Sequence, residues 1–512
     1  MGRVIIGYVF EYKSFTILSC YLGGDIINER IWKQFENVVS KYSNKNAVIG
    51  FDNTINYSEL KRKSEHVASK LLKLGVGRNV VVGVRMSRST DLIVAYMAII
   101  KVGGAILPID NSLPELRIEY MLKASNCSIV LTNDFLKCLS SYEKKEMLQK
   151  IECNETLSSN SDVAYIMFTS GTTGFPKGVP ITYDSFWAFL KNFTKTINFI
   201  SDDIIAALTT ISFDISMVEL VLPVLSGMTI VLFHEKTINN PYLLLEKIEK
   251  YGVTVIQTTP SRMDLLLEVG RKRDWCSKIK KVLIGGENFP LSLRNQLHEN
   301  GIINIFNVYG PTEATIWISV SNVNKGKRID LGYPLLGNNF IIIDENGNLI
   351  EGDGRGELCI SGIQLTIGYL NNPEQNKDKF KYFGQTEEKF YLTGDIVEKI
   401  DDKYYFWGRK DEQVKIRGYR IELEEIEHHM MKINGINKVK VLSKKGKYGN
   451  YLIGFYSSDA PIEAADIRNE LKEYLADYMI PSSYIRLKEF PCNVNGKVDR
   501  NKLLELANTN LG

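Results

Sequence analysis

Five short runs rich in β-branched residues, 80–85 (VVVGVR), 128–132 (SIVLT), 229–233 (TIVLF), 254–257 (TVIQ) and 281–284 (KVLI), alternate with helix-periodic stretches such as 57–74 and 242–251. Runs this apolar suit strands buried on both faces, and strand–helix alternation places them in mostly parallel sheets covered by helices. The pattern predicts an α/β protein. With 512 residues the chain exceeds one ordinary core, so a large body plus a smaller domain is expected. Beyond residue 404 the texture changes to hairpins over 404–421, a charged helix over 422–432, and further short α and β pieces. The predicted division is a large N-terminal body of layered α/β subdomains over 1–408, a hinge at 409–411 and a small C-terminal α+β domain over 412–512. Residues 1–30 form an N-terminal extension of unassigned role.

Composition narrows the class. Hydrophobic residues make up 44% and charged residues 24%, as in soluble globular proteins. A net charge of +3 at this length points to neither a nucleic-acid nor an anionic-membrane surface. The seven cysteines are scattered, with no CxxC pair, which predicts a reducing compartment and a cytoplasmic protein. No apolar run reaches membrane-spanning length. The apolar stretch 4–22 is broken by Glu11 and Lys13, so a strand or two fits it better than a signal peptide. The five histidines make no metal set, and His428 and His429 read as surface residues.

The chemistry starts at residues 165–179, YIMFTSGTTGFPKGV. An apolar strand pattern runs into a loop of hydroxyls and glycines that ends in a lysine. Gly171, Gly174 and Gly178 permit turns that residues with side chains resist. Backbone N–H groups and the hydroxyls of Thr169, Ser170, Thr172 and Thr173 can converge on phosphate oxygens, with Lys177 as a point charge. The Walker pattern is absent.

This segment closely resembles the phosphate loop of the adenylate-forming superfamily, which includes acyl-CoA synthetases, luciferases and peptide-synthetase adenylation domains. The resemblance runs from about Trp32 to Leu504, with the motifs in family order. Residues 56–60 and 101–110 resemble structural signatures of the large body. Residues 307–313, NVYGPTE, imply that Asn307 reads the adenine edge, Tyr309 lies on its face, Thr312 borders the nucleotide and Glu313 helps hold Mg²⁺. Asp395, in YLTGD, takes the family's ribose position, where two carboxylate oxygens can accept from a diol, and Arg409 stands at a second nucleotide contact. Asp411 takes the pivot position of a hinge about which the small domain rotates, presenting the hairpin around Gly418 for a second half-reaction. NGKVDR over 495–500 carries the family's catalytic lysine, here Lys497. ATP and Mg²⁺ are the implied cofactors.

Residues 212–219, SFDISMVE, separate subclasses: the resemblance implies that Asp214 binds the α-ammonium of an amino acid. A helix cap at Ser216 is the alternative reading of that aspartate. The family's pocket positions fall here on Asp214, Ile215, Val218, Gln257, Leu283, Gly285, Val308, Ile316, Trp317 and Lys497. Branched aliphatics and Trp317 leave little room, a set resembling glycine-activating domains, with alanine as rival and Gln257 without an evident partner. Two positions depart from the family: Thr366 precedes Ile367 and Gly368 without the usual arginine, and Ala476 stands for a usual proline. Only twelve residues follow Arg500, and neither a carrier signature nor a condensation motif occurs. The expectation is a free-standing enzyme that activates a small amino acid and loads a phosphopantetheinylated carrier protein in trans. A D-alanine–carrier ligase and a catalytically idle adenylate-binding protein are the alternatives.

Overall fold

The structure is a computed structural model that describes residues 27–140, 162–171, 174–271, 273–383, 387–416, 418–446, 449–493 and 497–511. The stretch 4–22, Thr172, Thr173 and Gly496 lie outside the described residues.

The β-branched runs form strands as expected. A nine-stranded sheet carries, side by side and parallel, Ile305–Tyr309, Lys281–Gly285, Val255–Thr258, Ile204–Ala207, Thr229–Leu232 and Asn46–Ile49. A five-stranded sheet orders Ile129–Thr132, Val81–Arg85, Ala105–Pro108 and Val163–Thr169, all parallel, with Lys177–Thr182 folding back antiparallel. The helix Thr90–Val102 is buried along Thr90 and Leu92–Ile100, in one core cluster with residues of both sheets. A helix apolar all round has no face for water and fits only an interior. Residue Asn56 of the 56–60 signature caps the helix Tyr57–Lys73 in a reciprocal capping box with Glu59, and the Tyr57 hydroxyl donates to the Met228 carbonyl at 2.6 Å. That signature is structural.

An antiparallel sheet completes the large body with Asn338–Ile343, Gly354–Gly362, Lys389–Ile400 and Lys403–Arg409. Beyond Arg409 come a hairpin (Val414–Ile416 and Tyr419–Ile421), the helix Leu423–Met430, and a three-stranded sheet with the helices Ala464–Lys472 and Arg500–Leu511. This small α+β unit is packed hard on the rest. One buried apolar cluster runs from Val81, Ala105 and Ile166 of the five-stranded sheet into Ile416, Ile426 and Met430. Among the described residues no helix is long and apolar enough to cross a membrane.

Candidate active site

The site gathers at the C-terminal ends of the parallel strands, where open α/β sheets leave a crevice. Residues Thr169 and Lys177 face each other across the last rungs of their strand pair, and the phosphate loop spans the gap. Glycine is required twice in it. Gly174 has φ +84°, and a Cβ on Gly171 would overlap the Phe175 carbonyl. The loop's groups are engaged by the small domain: Ser170 Oγ donates to the Arg420 carbonyl (2.8 Å) and accepts from the Glu422 N–H (3.1 Å), and Gly171 N–H donates to Glu425 Oε2 at 3.0 Å. Lys177 is buried, 3.8 Å from Glu422 Oε1 and over the Tyr369 ring. Burial, then the neighbouring Arg420, lowers its pKa.

From the strand Ile305–Tyr309 the chain turns through Gly310, where a Cβ would strike the Ile316 carbonyl, and delivers Glu313 to the centre. Glu313 is fully buried; Tyr369 Oη donates to one oxygen and Arg420 Nη1 to the other, both at 2.7 Å. Burial alone would raise its pKa, but Arg420 and Lys177 outweigh burial and bring it down to about 2. An ionised carboxylate of this kind suits Mg²⁺, which usually takes one or two carboxylates and completes its shell from substrate phosphates. Among the described residues no group of three or more His, Cys, Asp or Glu side chains could hold a metal unaided. The residues therefore fit a magnesium ion that arrives with its nucleotide.

Tyr309, Asp395, Arg409 and Asp411 form a chain. Tyr309 Oη donates to Asp395 Oδ2 at 2.6 Å, Arg409 Nη1 to Asp395 Oδ1 at 2.6 Å, and Arg409 grips both oxygens of Asp411 at 2.7 and 2.6 Å. Asp411, the expected pivot, is thus bound to the same guanidinium as Asp395. The side-chain Nδ2 of Asn307 donates to the Asp330 carbonyl at 2.7 Å.

The strands Val255–Thr258, Lys281–Gly285 and Ile305–Tyr309 set Gln257 beside Leu283 and Gly285 beside Val308. Val218, Leu283, Val308, Ile316 and Trp317 belong to one buried cluster, and Ile215 packs against it. The Trp317 ring lies on Gly285, whose Cβ would come within 2.7 Å of it. Gln257 has partners after all. Trp317 Nε1 donates to its Oε1 at 2.9 Å, while its Nε2 donates to the Ile215 carbonyl (2.9 Å) and to Glu219 (3.0 Å), so the plug is fixed by hydrogen bonds as well as packing. Asp214 is buried, one carboxylate oxygen has no hydrogen-bond partner, and burial pushes its pKa up to about 6 against hydrogen bonds from Thr312 and the Ile215 N–H. It caps nothing: the helix Ser216–Leu220 begins at Ile215 without a side-chain cap.

Asp214, Ile215, Thr312, Tyr309, Trp317, Asp395 and Arg409 share one cavity of about 80 Å³. A second, of about 770 Å³, adjoins it; Phe213, Ile215, Gly418 and Tyr478 line both. Phe213 meets Tyr419 edge-on at 4.7 Å, and Tyr419 stacks on Tyr478 at 3.8 Å, so three rings from both domains form the partition. Lys497 is not brought here. It is exposed on the small domain, its N–H bonded to Asn493 Oδ1 at 3.0 Å. The surface reading of the histidines is corrected for His429, which is buried, stacked on Tyr474, with Nε2 3.0 Å from the Gly174 carbonyl. Sequence reasoning also missed Tyr369, Arg420, Glu422, Glu425 and Lys415, whose ammonium lies over the Tyr309 ring at 5.9 Å; four of them fall inside or next to the hairpin around Gly418, but only the packed chain shows what they touch.

Comparison with known proteins agrees with this geometry. The family model for AMP-binding enzymes matches residues 35–370. Zwittermicin A synthase ZmaJ from Bacillus cereus is 32% identical over 504 residues, 93% of this chain and 95% of that protein. Bacitracin synthase 1 from Bacillus licheniformis is 34% identical over 485 residues and 92% of this chain, but the chain spans only 9% of that synthase's length. In structure the chain is similar to the Vibrio cholerae adenylation domain AlmE in complex with glycyl-adenosine-5'-phosphate, with TM-score 0.82, 21% identity, and coverage of 95% of this chain and 99% of that one. The chain belongs to the AMP-binding enzymes of the adenylate-forming superfamily, and within them to the amino acid adenylating ligases of peptide-synthetase type.

Proposed function

We propose that the enzyme activates a small amino acid, glycine first, as its adenylate, and passes the acyl group to the phosphopantetheine thiol of a separate carrier protein. The observation that carries this reading is the unpaired, buried oxygen of Asp214. Such a group is costly unless a cation meets it, and an amino acid's ammonium supplies one where a simple carboxylic acid does not. The carboxylate end then faces the nucleotide across Thr312. One carboxylate oxygen attacks the α-phosphorus of ATP, the bond to the bridging oxygen breaks, and pyrophosphate leaves.

Residues divide the work. Tyr309 and Asn307 hold the base, Asp395 and Arg409 the ribose, and the phosphate loop with Lys177 the phosphates. Bound at Glu313, Mg²⁺ would neutralise charge growing on the phosphate oxygens. Lys497 would enter from the small domain after rotation about 409–411, adding a second positioned cation. The Gly418 hairpin would serve the second half-reaction, and the cavity of about 770 Å³ lined by Phe213 and Gly418 would give a thiol arm a way to the adenylate. The thiolate attacks the acyl carbon, the thioester forms, and AMP departs with the electron pair of the acyl–oxygen bond.

Small size rests on Trp317, pinned by Gln257 over Gly285. Support also comes from AlmE, whose structure holds glycyl-adenosine-5'-phosphate. Alanine of either hand is the rival, because one methyl discriminates by only about 1–3 kcal/mol. Amino-acid-dependent exchange of labelled pyrophosphate into ATP, run over the proteinogenic amino acids and D-alanine, tests the reading. Glycine should lead; D-alanine in front would favour the D-alanine–carrier ligase, and valine or larger would refute the pocket.

A further inference from the structure

The hairpin and helix that open the small domain set charges into the nucleotide site in a definite order. Arg420 lies on Glu313, Glu422 beside Lys177, and Glu425 on the N–H of Gly171. Each large-body group is one the nucleotide would use: a carboxylate for a cation, an ammonium and a loop N–H for phosphate oxygens. In every case the small domain brings the same sign of charge as the nucleotide component that would sit there.

Glu425 is the most constrained of the three. Its other oxygen accepts from Arg117 Nη1 at 2.6 Å, and the side chains of this pair are 6% and 0% exposed. Burying an ion pair is costly unless the remaining lone pairs are met, and here the loop N–H meets one. Arg117, on the helix Glu115–Ala124, and Gly171 both belong to the large body, so Glu425 finds this combination only when the small domain is seated as seen. A pyrophosphate oxygen and the Glu425 carboxylate cannot both accept from the same Gly171 N–H without placing two anions in contact.

We propose that residues 420–425 act as an internal stand-in for magnesium pyrophosphate, with Glu425, held by Arg117, as the positioning residue that seats the small domain once pyrophosphate has left. The idea rests on the adenylation reading and adds a cause for its order of events. Glu313, Lys177 and the loop N–H then keep partners of the right sign in both states.

The test uses the full chain, inorganic pyrophosphate with Mg²⁺, and a fluorophore pair reporting the distance between the domains. Glu425→Gln keeps the shape and removes the charge. It should bind pyrophosphate about tenfold tighter, as expected for removing a competing charge-assisted hydrogen bond. It should also shift the domains apart and lower the ratio of thioester transfer to pyrophosphate exchange. Arg117→Met, made on the other domain, should move all three readouts the same way. Parental pyrophosphate affinity in both variants, with only a lower melting temperature, would mean the pair is merely structural and would overturn the proposal. Absence of amino-acid-dependent exchange in the parent would instead refute the adenylation reading, and this proposal with it.

Discussion

Asp214→Asn holds shape constant and removes the charge on which substrate choice depends. Burial raises the Asp214 pKa from 3.8 to about 6. The folded protein thus holds this proton more tightly than the unfolded chain does. The destabilisation is absent below 3.8, grows as pH rises towards about 6, and is fully present above that. At neutral pH it amounts to about 3 kcal/mol. The asparagine variant escapes it, so its melting temperature at neutral pH should be no lower than the parent's. Activity should move oppositely. An ammonium left in a dry pocket without its carboxylate loses about 3–5 kcal/mol, a fall of at least about 10²-fold in kcat/KM for every amino acid. The parental kcat/KM should also fall about tenfold per pH unit below about 6 as Asp214 takes up its proton, and this acid limb should vanish in the variant. Pyrophosphate exchange at several pH values, beside thermal melts, measures both. Parental kcat/KM in the variant, or an acid limb that persists, would show that Asp214 does not bind the ammonium.

Lys497→Ala should slow adenylate formation by about 10²-fold or more while ATP still binds. Because Lys497 is exposed, stability should change by less than about 0.5 kcal/mol, so a collapse in melting temperature would point to a different role. Asp411→Pro fixes φ and releases Arg409 from its two-pronged grip; adenylation should survive and transfer to a phosphopantetheine thiol should fail, and equal loss of both would remove the case for a hinge. Trp317→Ala frees Gln257 Oε1 and opens space over Gly285, so larger aliphatic amino acids should gain on glycine in exchange assays, at about 3–5 kcal/mol of stability. An unaltered substrate order would show that another group limits volume.

Much of this architecture could be read from the chain because its signals are local. Strands such as 80–85 and 281–284 declare themselves by apolar runs, and the turn at Gly310 by the residues it needs. The nucleotide residues came from motif order, and the structure places Tyr309, Asp395 and Arg409 within one hydrogen-bonded chain. What stayed hidden depends on contacts between distant segments. The partners of Gln257 come from residues 215, 219 and 317, and no spacing rule links them. The misreading of His429 has the same origin. A helix with two adjacent histidines looks solvated until the phosphate loop is found packed against it.

The most consequential of these hidden contacts is Arg420 on Glu313. Arg420 and Lys177 are what hold this buried carboxylate at a pKa of about 2; with no cation beside it, burial would raise its pKa instead. The sequence names one candidate, the metal that comes with ATP; the fold supplies another from its own backbone hairpin. Here Arg420 and Tyr369 donate to the two oxygens of Glu313, where a bound Mg²⁺ would have to share the carboxylate with a second cation, and Glu425 accepts from the Gly171 N–H of the phosphate loop. On the proposed reading, nucleotide binding and this seating of the small domain compete for the same four groups: Glu313, Lys177, Ser170 and Gly171. On that reading Lys497, exposed in this arrangement, would have its opening when the nucleotide wins that competition, and the thiol when the hairpin does.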